Sequence, residues 1–571
     1  MMTGKKIATR TTTVLAVLAA TAASLAAVRI SWQVRTWTAA HGWDSTVVDH
    51  ATDDLTAHFW RFRAGGFDWI VGASVALLIA LVWLYKLSEA WDRRPGAEYG
   101  SASWGRARDL AGLANRHDLD NILLTRHVRL STDAIAAAPE NQRNCNILCV
   151  GGSGLGKTRN FIEPNLAHGR ASLVITDPKG EIHAAAAADL RRRGYKIRRL
   201  DLITMEHSDG FNPLAYLRAG HEAEDIEQLT KTIISNTTGP KPSGGDLDPF
   251  WDRAEQSLLT AMMAYVVACY RPTDRNLPQV ALLLDKVTTA DRQGLAEDTD
   301  AMFADAQAGR VYCENPDVLA YAISRYHTFK MAHPKTASSI LLCAGVRLSL
   351  LAIPAVARIM SSDSLILDQM GAEPTAVFVM MPDVTDAFAF VTSLFFQVLF
   401  ETLFRIADTR PDGRLAVPVQ CWMDEFPNLG VIPSFPQRVA TMRSRYISAQ
   451  IFVQNVGQLA GVYGDKPAET IRGNCDTLVF LGTSDMATAK DISERLGKQT
   501  IVSINTSEQR GGHGGASRSR QSLGRELLSP DEVLQMSRRD AIVMISGKRP
   551  VRDQKLPAPR LALDPIKEMA R

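Results

Sequence analysis

The chain has 571 residues and a formal net charge of +3 at pH 7. That length exceeds one ordinary hydrophobic core, so two or three domains are expected. Its hydrophobic share (46%) and charged share (22%) are those of a globular protein, and the small net charge excludes nucleic-acid binding by bulk charge alone; such contact needs local basic stretches.

Two apolar runs open the chain. Thr11 to Val28 is uncharged and rich in Ala, Leu and Val; Trp69 to Tyr85 is the second. Each approaches the roughly 17–25 residues that a helix needs to cross a bilayer. Lys5, Lys6 and Arg10 precede the first run, and Lys86, Arg93 and Arg94 follow the second. This charge pattern places both termini in the cytoplasm and residues 30–67 outside. Trp32, Trp37, Trp60 and Trp69 sit near the ends of the runs, as interfacial aromatics do. A cleaved signal peptide is the competing reading of the first run, and a buried soluble helix that of the second. The expectation is a multi-pass anchor in the cell membrane over residues 1–94, with spans at about 11–30 and 68–86, and the bulk of the chain cytoplasmic. The seven cysteines are scattered and odd in number. They read as reduced and mostly buried, and Cys145 and Cys149 lack partners for a zinc site.

"RRPGAEYGSASWGRARDL" then reads as a polar linker. From about residue 140, apolar runs end in turn or polar residues: Asn146 to Val150, Ser172 to Thr176 before Asp177, Thr375 to Met381 before Pro382-Asp383, Val417 to Met423 before Asp424, Ser448 to Val453 before Gln454, and Thr477 to Leu481 before Gly482. With helical patterns between them, they predict an α/β fold: a mostly parallel sheet covered on both faces, with ligands at the carboxyl ends of its strands. Between about 215 and 345 the periodicity is helical, which predicts an all-α insertion. "RRRGYKIRR" (Arg191 to Arg199) reads chiefly as a solvated helix end followed by a strand. Ser503 to Gly524 is rich in Gly, Ser and Arg and is expected to be a flexible loop. Its Arg510, Arg518, Arg520 and Arg525 either touch a phosphate backbone or have no role.

"CVGGSGLGKTRN" (Cys149 to Asn160) carries the chemistry. Gly151, Gly152, Ser153, Gly154, Leu155, Gly156, Lys157 and Thr158 form a G-x-x-x-x-G-K-[ST] loop between a strand and a helix. Its backbone N–H groups suit phosphates, Lys157 the β- and γ-oxygens, and the Thr158 hydroxyl Mg²⁺. Such a loop needs an acidic partner at a neighbouring strand end. Asp424 is expected in the Mg²⁺ shell, and Glu425 as the group that polarises the attacking water. Arg443 is the expected arginine finger for a neighbouring subunit's nucleotide, with Arg445 second and two solvated arginines as the bland alternative. Gln454 reads equally as a γ-phosphate sensor or a strand-terminal amide. Asp177-Pro178-Lys179-Gly180-Glu181 reads as a structural turn. ATP and Mg²⁺ are the implied cofactors.

"YGSASWG" (99–105), "VITDPKGE", "GFNPL" (210–214), "FWDRAEQSLL" (250–259), "WMDEFPNLGVIPSFPQRVATMRSR", "QNVGQLAGVYG" (454–464), "IRGNCDTLVFLGTSD" (471–485) and "LLSPDEVLQM" (527–536), together with the glycine-rich loop, resemble the type IV secretion coupling proteins, the TraG/TraD-like membrane ATPases of conjugation. "IPSFPQRVATMRSRYISAQ" is most similar to those of Gram-positive elements. The resemblance implies a two-span anchor, a RecA-like P-loop domain over 95–214 and 346–571, an all-α domain over 215–345, and a homo-hexameric ring. It implies single-stranded DNA with attached relaxase as substrate and type IV secretion channel components as partners. Lys157 and Thr158 match the family's Walker A pair, Asp424 and Glu425 its Walker B pair, Arg443 its finger and Gln454 its glutamine. The long acidic tail of several relatives has no counterpart after "KRPVRDQKLPAPR". Two other functions stand beside this one: an FtsK-type translocase of double-stranded DNA, and a nucleotide-binding receptor that docks cargo without pumping.

Overall fold

The computed structural model describes residues 2–47, 49, 53, 63–92, 97–133, 138–237, 249–292, 297–383, 387–508 and 516–558. The chain divides into two compact units: Met1–Ser101 with Gln499–Arg525, and Ala102–Lys498 with Glu526–Arg571.

In the first unit, helices α1 (Met2–His41) and α2 (Gly66–Asp92) pack on each other. Both extend beyond the expected spans. The helices touch closely at Gly72, where an added Cβ would lie 2.2 Å from Val28. Small residues let helix backbones approach where no hydrophobic force drives them together. Ser24 donates to the Gly72 carbonyl at 2.8 Å. Arg35 donates to Asp68 at 2.9 Å, and Ser31 and the Gly65 N–H complete that carboxylate's partners.

The expected flexible loop is corrected in the same unit. Lys498–Glu508 and Ala516–Glu526 are two hydrogen-bonded strands, and Arg510 lies outside the described residues. Ile501, Val502 and Ile504 explain the start of the first strand, because β-branched side chains favour the pleated backbone.

The second unit is built on a nine-stranded sheet. A two-stranded hairpin, β1 (Asn121–Leu123) with β2 (Arg129–Ser131), precedes it. The sheet strands are β3 (Ile147–Gly151), β4 (Ser172–Asp177), β5 (Lys196–Asp201), β6 (Thr375–Met380), β7 (Val419–Met423), β8 (Ile447–Val453) and β9 (Thr477–Gly482). With β10 and β11 as the two strands of the first unit, β12 (Asp540–Ile545) and β13 (Val551–Gln554) complete it. The order is β13-β12-β9-β3-β8-β7-β4-β6-β5. All pairs from β9 to β5 are parallel; β12 and β13 add an antiparallel edge. The sheet is therefore mixed.

Alternation along each strand feeds two cores. Leu148, Val150, Val174, Val377, Cys421 and Ile451 face one. Ile147, Cys149, Ile175, Phe378, Trp422 and Phe452 face the other. Successive side chains of a strand point to opposite faces, so a strand buried on both reads as an unbroken apolar run. Ala389–Thr409 is mainly apolar for a similar reason: Phe390, Phe395, Phe396 and Phe400 are all buried at 1% exposure or less. Among the described residues, this helix and Pro334–Ala352 join Val17–His41 and Gly66–Lys86 as long and apolar enough to cross a membrane. Packing inside the second unit accounts for the apolar character of Ala389–Thr409 without a membrane.

"RRRGYKIRR" takes the bland form: helix Glu181–Arg192 ends and β5 follows. Helices run from Glu222 through Met360 between β5 and β6, with no strand among the described residues. The expected boundary at residue 345 falls inside helix Pro334–Leu348. Cys145, Cys149 and Cys421 are buried, Cys269, Cys313 and Cys475 half-buried, and Cys343 exposed. Fewer are buried than composition suggested.

Candidate functional site: a phosphate cleft at the carboxyl ends of the strands

β3 lies between β8 and β9, so the chain leaving it meets a crevice at the strands' carboxyl ends. The loop there turns through Gly154 (φ +71°) and Gly156 (φ +89°), a region that side chains disfavour. It enters a π-turn, Thr158–Ile162, before helix Glu163–Leu166. Lys157 is 7% exposed. Its Nζ donates to the Gly151 carbonyl at 3.0 Å and lies 3.2 Å from Glu425 Oε1.

The two halves of the site meet across 266 residues. Thr158 Oγ1 donates to Asp424 Oδ2 at 2.8 Å. Asp424 follows β7 and is buried, and Thr176 of β4 donates to its main-chain carbonyl at 2.7 Å. Burial pushes the Asp424 carboxyl above its ordinary value, against the hydrogen bond from Thr158. A buried carboxylate beside a hydroxyl suits a hard cation that takes oxygen ligands. Glu425 sits at φ +48°, a left-handed conformation that is uncommon for a side chain and concentrates at functional sites. Gln454 Nε2 donates to both of its carboxylate oxygens, at 3.2 and 3.1 Å. Gln458 in turn accepts from the Gln454 main-chain N–H at 2.8 Å.

These residues wall a cleft of about 620 Å³. Asp177, Asp383, Asp424 and Gln454, each at the end of a different strand, all reach it. So do Lys179 and Glu181, which makes the turn after β4 part of the site as well as a connection. Burial raises the Asp177 carboxyl, while backbone N–H groups, including that of His183 at 2.8 Å, oppose the shift.

Arg443 does not join them. It precedes β8, whereas Gln454 follows it, and seven strand residues separate the two by about 20 Å. Its Nη2 donates to Gln142 at 2.9 Å. Arg445 is held by Asp408 at 2.8 Å and lies over the Phe404 ring. Sequence reasoning missed Lys555, whose Nζ donates to the loop carbonyl of Leu155 at 2.8 Å. No motif marks it. It also passed over Asn160, inside the quoted stretch but outside the pattern.

Residues 114–557 match the family described as type IV secretory system conjugative DNA transfer. The chain belongs to that family. It is 26% identical to conjugal transfer protein TraG of Escherichia coli over 67% of this chain and 60% of that one. It is 25% identical to a probable TraG of Sinorhizobium fredii over 85% and 77%, and 23% identical to the coupling protein VirD4 of Bartonella quintana over 71% and 62%. Among solved structures, plasmid coupling protein TrwB in complex with the ATP analogue ADPNP superposes with a TM-score of 0.56 at 18% identity, over 83% of this chain and 97% of that one. TrwB with ADP and Mg²⁺ gives 0.56 at 17% identity, over 81% and 97%. The fold is the RecA-type α/β fold with a mixed, mainly parallel sheet, preceded by apolar helices compatible with membrane spans.

Proposed function

We propose that this chain is a membrane-anchored coupling ATPase that drives single-stranded DNA with its relaxase into a type IV secretion channel. One observation carries the reading: the loop Gly151–Thr158 and the pair Asp424-Glu425 converge on one cleft, linked by Thr158–Asp424 and Lys157–Glu425. Relatives named for conjugal transfer, and TrwB structures holding ADPNP or ADP with Mg²⁺, support it.

In this reading the N–H groups of the loop bind the phosphates, and Lys157 turns from Glu425 to the transferred phosphoryl group. A bound Mg²⁺ would supply positive charge against the charge that develops on the phosphates. Thr158 and Asp424 are the residues placed to hold that ion. Glu425, released by Lys157, orients the attacking water, with Gln454 fixing its carboxylate. Arg443, remote from its own chain's cleft, reaches the nucleotide of a neighbour in a homo-hexameric ring. The same proposal assigns residues 1–94 to a two-span anchor, the nine-stranded sheet with its flanking helices to the motor, and the helices from Glu222 to Met360 to the helical domain.

The test uses the full chain in detergent micelles. ATP turnover is measured with single-stranded and double-stranded DNA at two salt concentrations, for wild type and Glu425→Gln. The expected result is salt-sensitive stimulation by single strands, with kcat lowered by about 10²–10⁴ in the variant and ADP binding retained. Stimulation by double strands alone favours an FtsK-type translocase. Binding without hydrolysis under any DNA condition leaves a docking receptor.

A further inference from the structure

The carboxyl-terminal edge of the sheet reaches the glycine-rich loop. After β13, Lys555-Leu556 runs beside residues 155–160, and both Lys555 (8% exposed) and Leu556 (5%) are buried. Lys555 Nζ donates to the Leu155 carbonyl at 2.8 Å. The Leu556 carbonyl accepts from Asn160 Nδ2 at 2.7 Å. One short segment thus holds Gly156-Lys157-Thr158 from both sides. The segment is itself anchored. Lys555 N–H donates to the Arg539 carbonyl at 2.8 Å, and the Gln554 carbonyl accepts from Arg126 N–H at 2.9 Å. Asp553 accepts from Thr125 at 2.7 Å and from the His127 N–H at 2.9 Å.

We propose that Lys555 is a positioning residue for phosphate binding: it locks the peptide between Leu155 and Gly156 so that the Gly156 N–H serves the nucleotide. This role rests on the nucleotide reading above. In a trans peptide the C=O and N–H point in opposite directions. With the Leu155 carbonyl drawn to Lys555, the Gly156 N–H is turned to the other side. Gly156 lines the cleft and Lys555 does not. A loop with glycine at 151, 152, 154 and 156 has little intrinsic stiffness. Without the lysine, the same peptide can flip and present a carbonyl oxygen to the phosphates, which repels them. Holding the donor in place beforehand removes an ordering cost from binding. The ammonium also adds positive charge directly behind the loop. Asn160 supplies the second restraint. Its Oδ1 lies where a Cβ on residue 156 would be, 2.3 Å away, so the Leu556 carbonyl, the Asn160 amide and Gly156 form one packed line.

The test is performed on the full chain in detergent micelles, with ADP and Mg²⁺ as the probe in calorimetry and the nucleotide-free melting temperature recorded alongside. Lys555→Met is expected to weaken ADP binding about tenfold or more, because a charge-assisted hydrogen bond is lost. It should raise KM for ATP more than it lowers kcat, since the restraint acts on phosphate binding. Lys555→Arg keeps donor and charge and is expected to restore affinity to within about threefold. A change in melting temperature with ADP affinity unchanged would assign Lys555 a purely structural role and overturn the proposal. Equal losses in the Met and Arg variants would overturn it too. If Lys555→Met does not fold, Lys555→Gln is read in the same assay against the same criteria. A wild-type chain that binds no ADP refutes the nucleotide reading, and this inference with it. A wild type that binds ADP while the Met variant binds equally well refutes only the role of Lys555.

Discussion

Replacing Gly156 by alanine puts a defined strain into the phosphate loop. At φ +89° a residue with a Cβ pays about 1–2 kcal/mol. The new Cβ would also lie 2.3 Å from Asn160 Oδ1. The amide must swing away and lose its bond to the Leu556 carbonyl, at a net cost of about 1 kcal/mol. Together these give about 2–3 kcal/mol, equivalent to about 30- to 150-fold in an equilibrium constant. That energy can appear in two places. If the loop keeps its shape, folding bears the cost and affinity is unchanged. If the loop relaxes, stability is kept and nucleotide binding bears it. Ser153 and Gly154 are exposed at the tip, so relaxation meets little packing resistance there. The expected outcome is a fall in affinity for ADP with Mg²⁺ of about 30-fold or more, with the nucleotide-free melting temperature within about 2 °C of wild type. Calorimetry and thermal melting of the full chain measure the two terms separately. An alanine variant with ADP affinity within threefold and an unshifted melting temperature refutes the strain argument, since neither process would then carry the cost.

Arg443→Ala is expected to lower kcat by about 10³ while leaving ADP affinity within about twofold, because the side chain lies far from its own cleft. Mixing that variant with Lys157→Ala chains, which retain Arg443, should restore turnover; failure of mixing to do so removes the trans assignment. The anchor of the Lys555 segment carries a pH signature. Burial pushes the Asp553 carboxyl up, but hydrogen bonds from His127 and Thr125 outweigh it and hold the group below its ordinary value. A carboxylate depressed in the folded state stabilises it above the unfolded value of about 3.9, and this stabilisation is lost as pH falls through the lower folded value. The stability difference between wild type and Asp553→Asn should therefore be full at neutral pH and shrink below about pH 4. Thermal melts across pH 3 to 7 check it, and a difference independent of pH would contradict the assignment.

The nucleotide loop was legible because its requirements are local. Gly154 and Gly156 answer a backbone need that no neighbour has to supply, and the apolar run before them reads as a buried strand. The runs ending at Asp177, Asp383, Asp424 and Gln454 pointed to one sheet edge by the rule that parallel strands share their carboxyl ends, and all four residues line the cleft. Tertiary structure alone decided the rest. Asp540–Ile545 is not among the expected strands, and its antiparallel direction comes from pairing with β9. Ser503 to Gly524 has the composition of a loop, and pairing makes its described parts, 503–508 and 516–524, strands. Arg443 and Gln454 look close along the chain, yet an intervening extended strand carries them to opposite ends of the sheet. Lys555 stands 400 positions from Leu155. A buried lysine on a loop carbonyl is a product of packing, and packing brings together residues whose separation along the chain holds no trace of the contact.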